Sequence, residues 1–192
     1  MAATLDDGAL DIVFRGARSY RHWHDRVLAD SLPRAIYELA RLGPTSANCQ
    51  PGRFTFVVSP AAKARLAPCL AAGNVDKTMS AAATVIVAHD LDFYERMANS
   101  SMAAGFAADP AGAEVHAFRN GTLEGAYFIV AARALGLDCG PMSGFDNDMV
   151  DAEFFPDSGV KSNFLINLGY GEAAGMPARG PRHDFEVACA IL

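Results

Sequence analysis

Two arginines, a serine and a tyrosine occupy four consecutive positions, Arg18-Ser19-Tyr20-Arg21. Paired guanidiniums beside a hydroxyl, next to a helix end, can hold a phosphate through charge-assisted hydrogen bonds. A second polar stretch, GPTSANCQP from Gly43 to Pro51, joins a helix pattern to an alternating apolar run. Thr45, Ser46, Asn48 and Gln50 offer donors and acceptors there. A third stretch, GPMSG from Gly140 to Gly144, combines glycines that expose backbone N–H groups with a stiffening proline. Arg179 and Arg182 could add positive charge near the C-terminus. Each stretch alone reads better as a capped turn with incidental surface arginine. Together they suit a planar heteroaromatic ligand carrying a phosphate: amides read ring carbonyls and ring N–H groups, guanidiniums take the phosphate, and backbone N–H groups reach the reactive edge.

Other patterns do not hold. Gly169–Gly175, GYGEAAG, places its third glycine one residue too late for a dinucleotide turn, and too little chain follows for a βαβ unit. His22 and His24 flank Trp23 beside Asp25, but no second ligand cluster accompanies them, so a polar surface loop is the expectation. Ser143 is not in a G-x-S-x-G elbow, and Ser158-x-x-Lys161 has no companion motif.

The elements that must position these stretches follow from periodicity and punctuation. The pattern predicts a short amphipathic helix over Asp11–Ala17, then a helix capped by Asp30 or Ser31 with Pro33 in its first turn and Gly43 as its stop. Strands are predicted over Arg53–Val58, Ala83–Ala88 and Asn163–Leu168. Pro60–Ala72 reads as a helix ending at Gly73-Asn74, and Asn99–Gly112 as an excursion. Glu114–Leu135 is the longest helix candidate, with Phe118, Leu123, Tyr127, Val130 and Leu135 as its apolar residues. Gly121 and Gly125 inside it each cost about 1 kcal/mol against alanine, which implies that something approaches that face closely. Leu137–Phe145 reads as a loop, Asp146–Phe154 as a short helix, and a last short helix closes the tail. Strands separated by helices, without a tight hairpin signal, give an α+β layer fold.

At 192 residues the chain is expected to form one domain, residues 1–192, with a substantial core. Its 51% apolar content argues against disorder and hints at a dimer whose interface extends the core. The net charge of −6 and the absence of a Lys/Arg run exclude a nucleic-acid groove, and no apolar run is long enough for a bilayer. MAATLDDGAL has no basic n-region or apolar h-region, so no signal peptide and a cytoplasmic location are expected. The four widely spaced cysteines read as reduced thiols, with no metal site.

ARSYR, then PTSANCQP before a strand, then GPMSGFD, in this order, resemble the nitroreductase family of FMN-dependent oxidoreductases. The similarity extends from Phe14 to the segment Arg179–Glu186. It implies an α+β nitroreductase-like fold, a central mostly antiparallel sheet flanked by helices, an intertwined homodimer with FMN at the interface, and NADPH or NADH as co-substrate. By motif position, Arg18, Ser19 and Arg21 match contacts to the FMN phosphate and ribityl chain; Ala17 stands where the family often has a basic residue. Pro44, Thr45, Ser46 and Asn48 match ring contacts from the partner chain, and Asn74 a ring-edge amide. Pro141, Met142, Ser143 and Gly144 match the segment whose backbone donates to flavin N5 and O4. Arg182 matches a C-terminal phosphate-binding arginine, with Arg179 a second candidate.

AGNVDKT, AFRN, ALGLDCGPMSGFD and KSNFLINLGYG are most similar to the malonic semialdehyde reductase (3-hydroxypropanoate dehydrogenase) branch, associated with pyrimidine degradation. That resemblance implies NAD(P)H-linked reduction of malonic semialdehyde to 3-hydroxypropanoate in two hydride-transfer half-reactions. The substrate carboxylate needs a cation, for which Arg119 is the candidate beside its ordinary role as a solvated helix-face residue. A generalist nitroaromatic or quinone reductase, a non-catalytic flavin-binding protein and a flavin-free binding domain are the alternatives.

Overall fold

The computed structural model describes residues 3–192 and has at its centre one sheet of four strands in the order β1-β2-β4-β3. They are β1 (Gly52–Val57), β2 (Ala83–Asp90), β3 (Asp138–Met142) and β4 (Val160–Gly169), and every neighbouring pair is antiparallel. The β-branched run in β2 is buried along its whole length because both faces of the sheet are covered. Val85 and Val87 join Ile166 and Leu168 on one face, in a core completed by Ile36 of α2 (Leu32–Ala40) and Phe128 of α6 (Pro110–Ala134). Ile86 and Leu165 point the other way, toward Leu66 of α3 (Pro60–Leu66) and Val150 of α7 (Asn147–Phe154). β1 also serves both faces: Val57 belongs to the second core, while Phe54 stacks on Phe128 with ring centroids 5.0 Å apart.

Several local expectations are corrected. The N-terminal helix starts earlier, as α1 (Asp7–Leu10), and continues as a π turn over Asp11–Arg15. Ser31 precedes α2 without a capping hydrogen bond from its side chain. The helix expected over Pro60–Ala72 stops at Leu66 and passes through a 3₁₀ turn. Leu70 then turns extended to pair with Phe145. Gly73 and Asn74 therefore lie inside a separate helix, α4 (Ala72–Ser80), instead of ending the previous one. Asn99–Gly112 is no irregular excursion: Asn99 accepts from Met102 N–H and caps α5 (Ser100–Ala108), and Asp109 caps α6 through Gly112 N–H. The stretch expected to be a loop at Leu137–Phe145 contains β3, since pairing with β4 overrides its glycine and proline content. The tail ends in α8 (Phe185–Ala188).

The long helix buries a different face from the one its large apolar residues suggest. Phe118 and Leu123 remain 51% and 42% exposed, whereas Asn120, Gly121, Glu124 and Gly125 are buried against the sheet. A Cβ on Gly121 would lie 2.8 Å from His89 Cβ, and one on Gly125 2.6 Å from the Phe164 ring, so the glycines do mark a close approach. Gly121→Ala should gain about 1 kcal/mol of helix propensity. It should lose more, about 1–3 kcal/mol, by pushing β2 away from α6. The expected net result is a lower unfolding midpoint in denaturant; a higher midpoint would show that the helix can lift off the sheet cheaply.

Candidate functional site

The first and third polar stretches are neighbours in space. The chain from Ser19 to His24 bridges the free edge of β3 at Cys139 and the residues just after β4 at Gly171. Tyr20 N–H donates to Cys139 O at 3.1 Å, and His24 N–H donates to Tyr170 O at 2.9 Å. Trp23, buried, fixes this segment by donating its indole N–H to Lys77 O at 3.0 Å. Gly140 is required where the two segments meet, because a Cβ there would stand 2.5 Å from Tyr20 O. Cys139 turns its carbonyl to the free edge; at a period of two, Pro141 turns its carbonyl the same way. Proline is tolerated on that edge because no ladder hydrogen bond is required of it.

Beside this junction lies a cleft of about 440 Å³ lined by Arg18, Arg21, Arg133, Arg179 and Arg182, with Ser19 and His22, and by no carboxylate. The C-terminal segment closes it. Arg18 donates to Pro177 O at 2.5 Å, and Arg179 donates to Arg15 O and Ala17 O at 2.6 and 2.7 Å. Arg182 donates to its neighbours' carbonyls at Gly180 and Pro181. Arg133 donates to Val13 O at 3.2 Å, and its Nε is buried without a partner. Burial, and then the nearby Arg21 charge, hold the Lys77 ammonium below its usual pKa. Gathered cations with no carboxylate between them make a site for an anion with several acceptor oxygens. Arg133 was not singled out from the sequence. It stands in no local motif, and only the fold carries it to the cleft. His22, expected on a surface loop, lines the same cleft.

Pro141 and Met142 end β3, and Ser143 and Gly144 follow. Asn74 Nδ2 donates to Gly144 O at 2.6 Å, and Ala71 N–H donates to the same oxygen at 3.0 Å. The break between α3 and α4 thus brings Asn74 to the GPMSG segment. Beneath it, Thr84 Oγ1 donates to Asn167 Oδ1 at 2.7 Å and Asn167 Nδ2 donates to Thr78 Oγ1 at 3.2 Å, a buried network that fixes the floor under Met142.

The Gly43–Pro51 stretch lies elsewhere and is strained. Ala47, Asn48 and Gln50 have φ of 53°, 53° and 43°, values that side-chain-bearing residues rarely adopt. A polar row on α6 holds it there. Asn120 Oδ1 accepts from Ser46 N–H at 2.8 Å, Glu124 Oε2 accepts from Gly52 N–H at 2.7 Å, and Tyr127 OH donates to Pro44 O at 3.0 Å. Thr45 Oγ1 accepts from Gln50 N–H. Burial raises the Glu124 carboxyl pKa, although the Gly52 N–H and the Arg53 charge pull it down. Sequence reasoning missed these anchors. The available signal was Asn120 and Glu124, four apart and so on one face of the helix, next to the face of the two glycines.

This loop lines a second cleft, about 500 Å³, with Asn48, Cys49 and Gln50 on one side and Tyr37, Phe54, Phe93 and Arg96 on others. Within one chain neither cleft is lined by both the loop and the clustered arginines. Arg119 is exposed on α6 and lines neither of them.

An antiparallel sheet between helical layers, with an anion cleft at the edge of β3, defines an α+β protein built to hold a phosphate-bearing ligand. The sequence pattern of the nitroreductase family matches residues 14–170, and the chain belongs to that family. A Burkholderia lata protein provisionally named NADH dehydrogenase/NAD(P)H nitroreductase is 51% identical over 192 residues, covering 98% of each chain. A Stenotrophomonas maltophilia protein with the same provisional name is 50% identical over 195 residues, covering 100% of each. In fold, the chain is similar to a nitroreductase-type protein of Exiguobacterium sibiricum, solved in complex with FMN, with a TM-score of 0.81 at 22% identity and full coverage of both chains.

Proposed function

We propose that the protein is an FMN-dependent oxidoreductase that uses NADPH or NADH to reduce malonic semialdehyde to 3-hydroxypropanoate. The observation that carries the flavin reading is the Tyr20–Cys139 junction. It ties the segment that carries Arg18 and Arg21, which line the carboxylate-free cleft, to the strand that runs on into Pro141–Gly144, as a phosphate and a ring edge on one ligand require. The unpartnered Nε of Arg133 fits that cleft's need for an anion. The names of the relatives, which include NAD(P)H nitroreductase, support the same chemistry.

FMN supplies, when bound, a ring that takes hydride from the nicotinamide and gives it to the acceptor. Arg18, Ser19, Arg21 and Arg182 would hold its phosphate and ribityl chain, with Arg179 and Arg133 bracing the cleft. The Ser143 N–H would stabilise negative charge at the ring edge, and Asn74 keeps that N–H in place through Gly144. Pro44, Thr45, Ser46 and Asn48 would form the ring wall contributed by a second copy. Exposed apolar residues on α6 (Phe118, Leu123), on and just after α2 (Leu39, Leu42) and on the N-terminal helix (Ile12, Phe14) support such a homodimer. Reduction of malonic semialdehyde would place the chain in pyrimidine breakdown and in the cytoplasm; among the described residues no helix is long and apolar enough to cross a membrane. A general nitroaromatic or quinone reductase is the second reading, favoured by those same relatives' names.

The test is an anaerobic absorbance titration of FMN-reconstituted, desalted protein. NADPH should bleach the flavin, and malonic semialdehyde should restore it. Bleaching reversed by menadione but not by the aldehyde would select the second reading, and no retained flavin would overturn both. Arg21→Ala should weaken FMN binding about 10- to 100-fold, the effect of losing a charge-assisted contact worth about 1.5–3 kcal/mol. Riboflavin, which lacks the phosphate, should bind the variant and the parent equally; fluorescence quenching measures both.

A further inference from the structure

The second cleft is lined by two guanidiniums that converge on one carboxylate beside it. Arg53 and Arg96 both donate to the same oxygen of Asp90, each at 2.6 Å, and the other Asp90 oxygen accepts from Asp92 N–H at 2.9 Å. The two guanidiniums thus share one carboxylate oxygen, and the Arg53 charge also acts on Glu124. Arg53 is otherwise engaged, donating to Gln50 O at 3.1 Å and Gly52 O at 2.8 Å. Arg96 makes only the Asp90 contact and keeps a side chain that is 64% exposed. Glu124, the remaining carboxyl in the lining, is buried and committed to Gly52 N–H. Arg96 is therefore the guanidinium of this cleft that keeps N–H groups free for a ligand.

The rest of the cleft is shaped for a flat or apolar body. Tyr37 and Phe54 meet edge to face with centroids 6.3 Å apart, and Phe56 and Phe93 complete the aromatic lining. Asn48, one of the residues matched to the ring wall, lines the same cleft.

We infer that Arg96 is the specificity-determining residue of this cleft, holding the carboxylate of small organic-acid substrates while the aromatic wall takes the remainder of the molecule. The inference rests on the flavin reading above, through Asn48, and it transfers to Arg96 the role that the sequence suggested for Arg119. Asp90 acts as the positioning residue that holds Arg96 at the cleft, and the 3₁₀ turn at Phe93–Arg96 carries it there.

Calorimetry with benzoate and benzamide, the same ring with and without a negative charge, tests this on the FMN-reconstituted protein. Benzoate should bind the parent more tightly than benzamide. Arg96→Ala should weaken benzoate about three- to tenfold, the range appropriate to a solvent-screened charge contact, and leave benzamide unchanged. Arg96→Lys should recover part of the loss, and Arg119→Ala should change neither ligand. Equal weakening of both ligands by Arg96→Ala, no effect on benzoate, or no preference for benzoate in the parent would each overturn the assignment. Flavin bleaching by NADPH is scored on the same samples. A protein that bleaches normally but shows no Arg96-dependent preference retains the flavin reading and loses this inference.

Discussion

Gly140→Ala should destabilise the fold by about 1–3 kcal/mol and remove most of the FMN binding. The added methyl group would sit 2.5 Å from Tyr20 O and 3.2 Å from the Trp23 ring. The first neighbour is backbone and cannot swing aside as a side-chain tip could. Backbone conformation does not oppose alanine here, since Gly140 is not among the glycines of positive φ. The gain from a stiffer unfolded chain, about 0.4–1 kcal/mol, is smaller than the clash. Relief requires the Ser19–His24 segment to move off the edge of β3. That motion carries Arg18 and Arg21 away from the Pro141–Gly144 edge and separates the two halves of the proposed ligand site. Gly73→Ala is the control, because its Cβ would meet nothing within 4 Å and the residue lies in α4. It should raise stability by up to about 1 kcal/mol. Thermal unfolding with and without FMN separates the two: Gly140→Ala should unfold several degrees lower and lose the FMN-dependent rise, while Gly73→Ala keeps it. An unchanged melting temperature and full FMN binding in Gly140→Ala would show that the junction is not tight.

Strand pattern carried the centre of this fold because the buried strands are stretches whose local preference agrees with their final place. ATVIVA in β2 and FLINL in β4 are β-branched or apolar and enclosed by helices on both faces. β3 was illegible for the opposite reason: its sequence, DCGPM, looks like a turn, and only β4 on one side and the Tyr20 segment on the other make it a strand. The same override hid the break before α4, which exists because Leu70 pairs with Phe145 far along the chain. The three polar stretches were visible as chemistry. The groups that hold them were not, since Asn120, Glu124, Tyr127 and Arg133 are scattered along a helix whose Phe118 and Leu123 lie on its exposed side. Two glycines four apart were the clue to the buried face, and the polar residue ahead of each was its companion.

Glu124 gives the other large effect, and its sign depends on pH. Glu124→Ala should cost about 2–4 kcal/mol, because it leaves Gly52 N–H buried without its 2.7 Å acceptor and opens a void between α6 and β1. Glu124→Gln keeps an acceptor and the volume while removing the titration. In the folded protein burial raises the carboxyl pKa above its ordinary value of 4.5, so the native state holds the proton more tightly than the unfolded chain. That contribution to stability is complete below the unfolded pKa and is lost as pH climbs through the raised value. His89 and His116 act in the opposite sense. Burial lowers both, so they favour the folded state at higher pH and lose that contribution as pH falls through their folded values. Comparing Glu124→Gln with the parent cancels the histidines, which are common to both. The Gln variant should gain on the parent as pH increases above the unfolded carboxyl value and level off once Glu124 is fully ionised. Urea midpoints from pH 4 to pH 8 measure this difference; a gap that stays constant with pH would mean that Glu124 titrates alike in the folded and unfolded chains. Because Glu124 anchors the strained Ala47–Gln50 turn, the same variant should retain FMN and substrate binding, whereas Glu124→Ala should loosen the loop and weaken both.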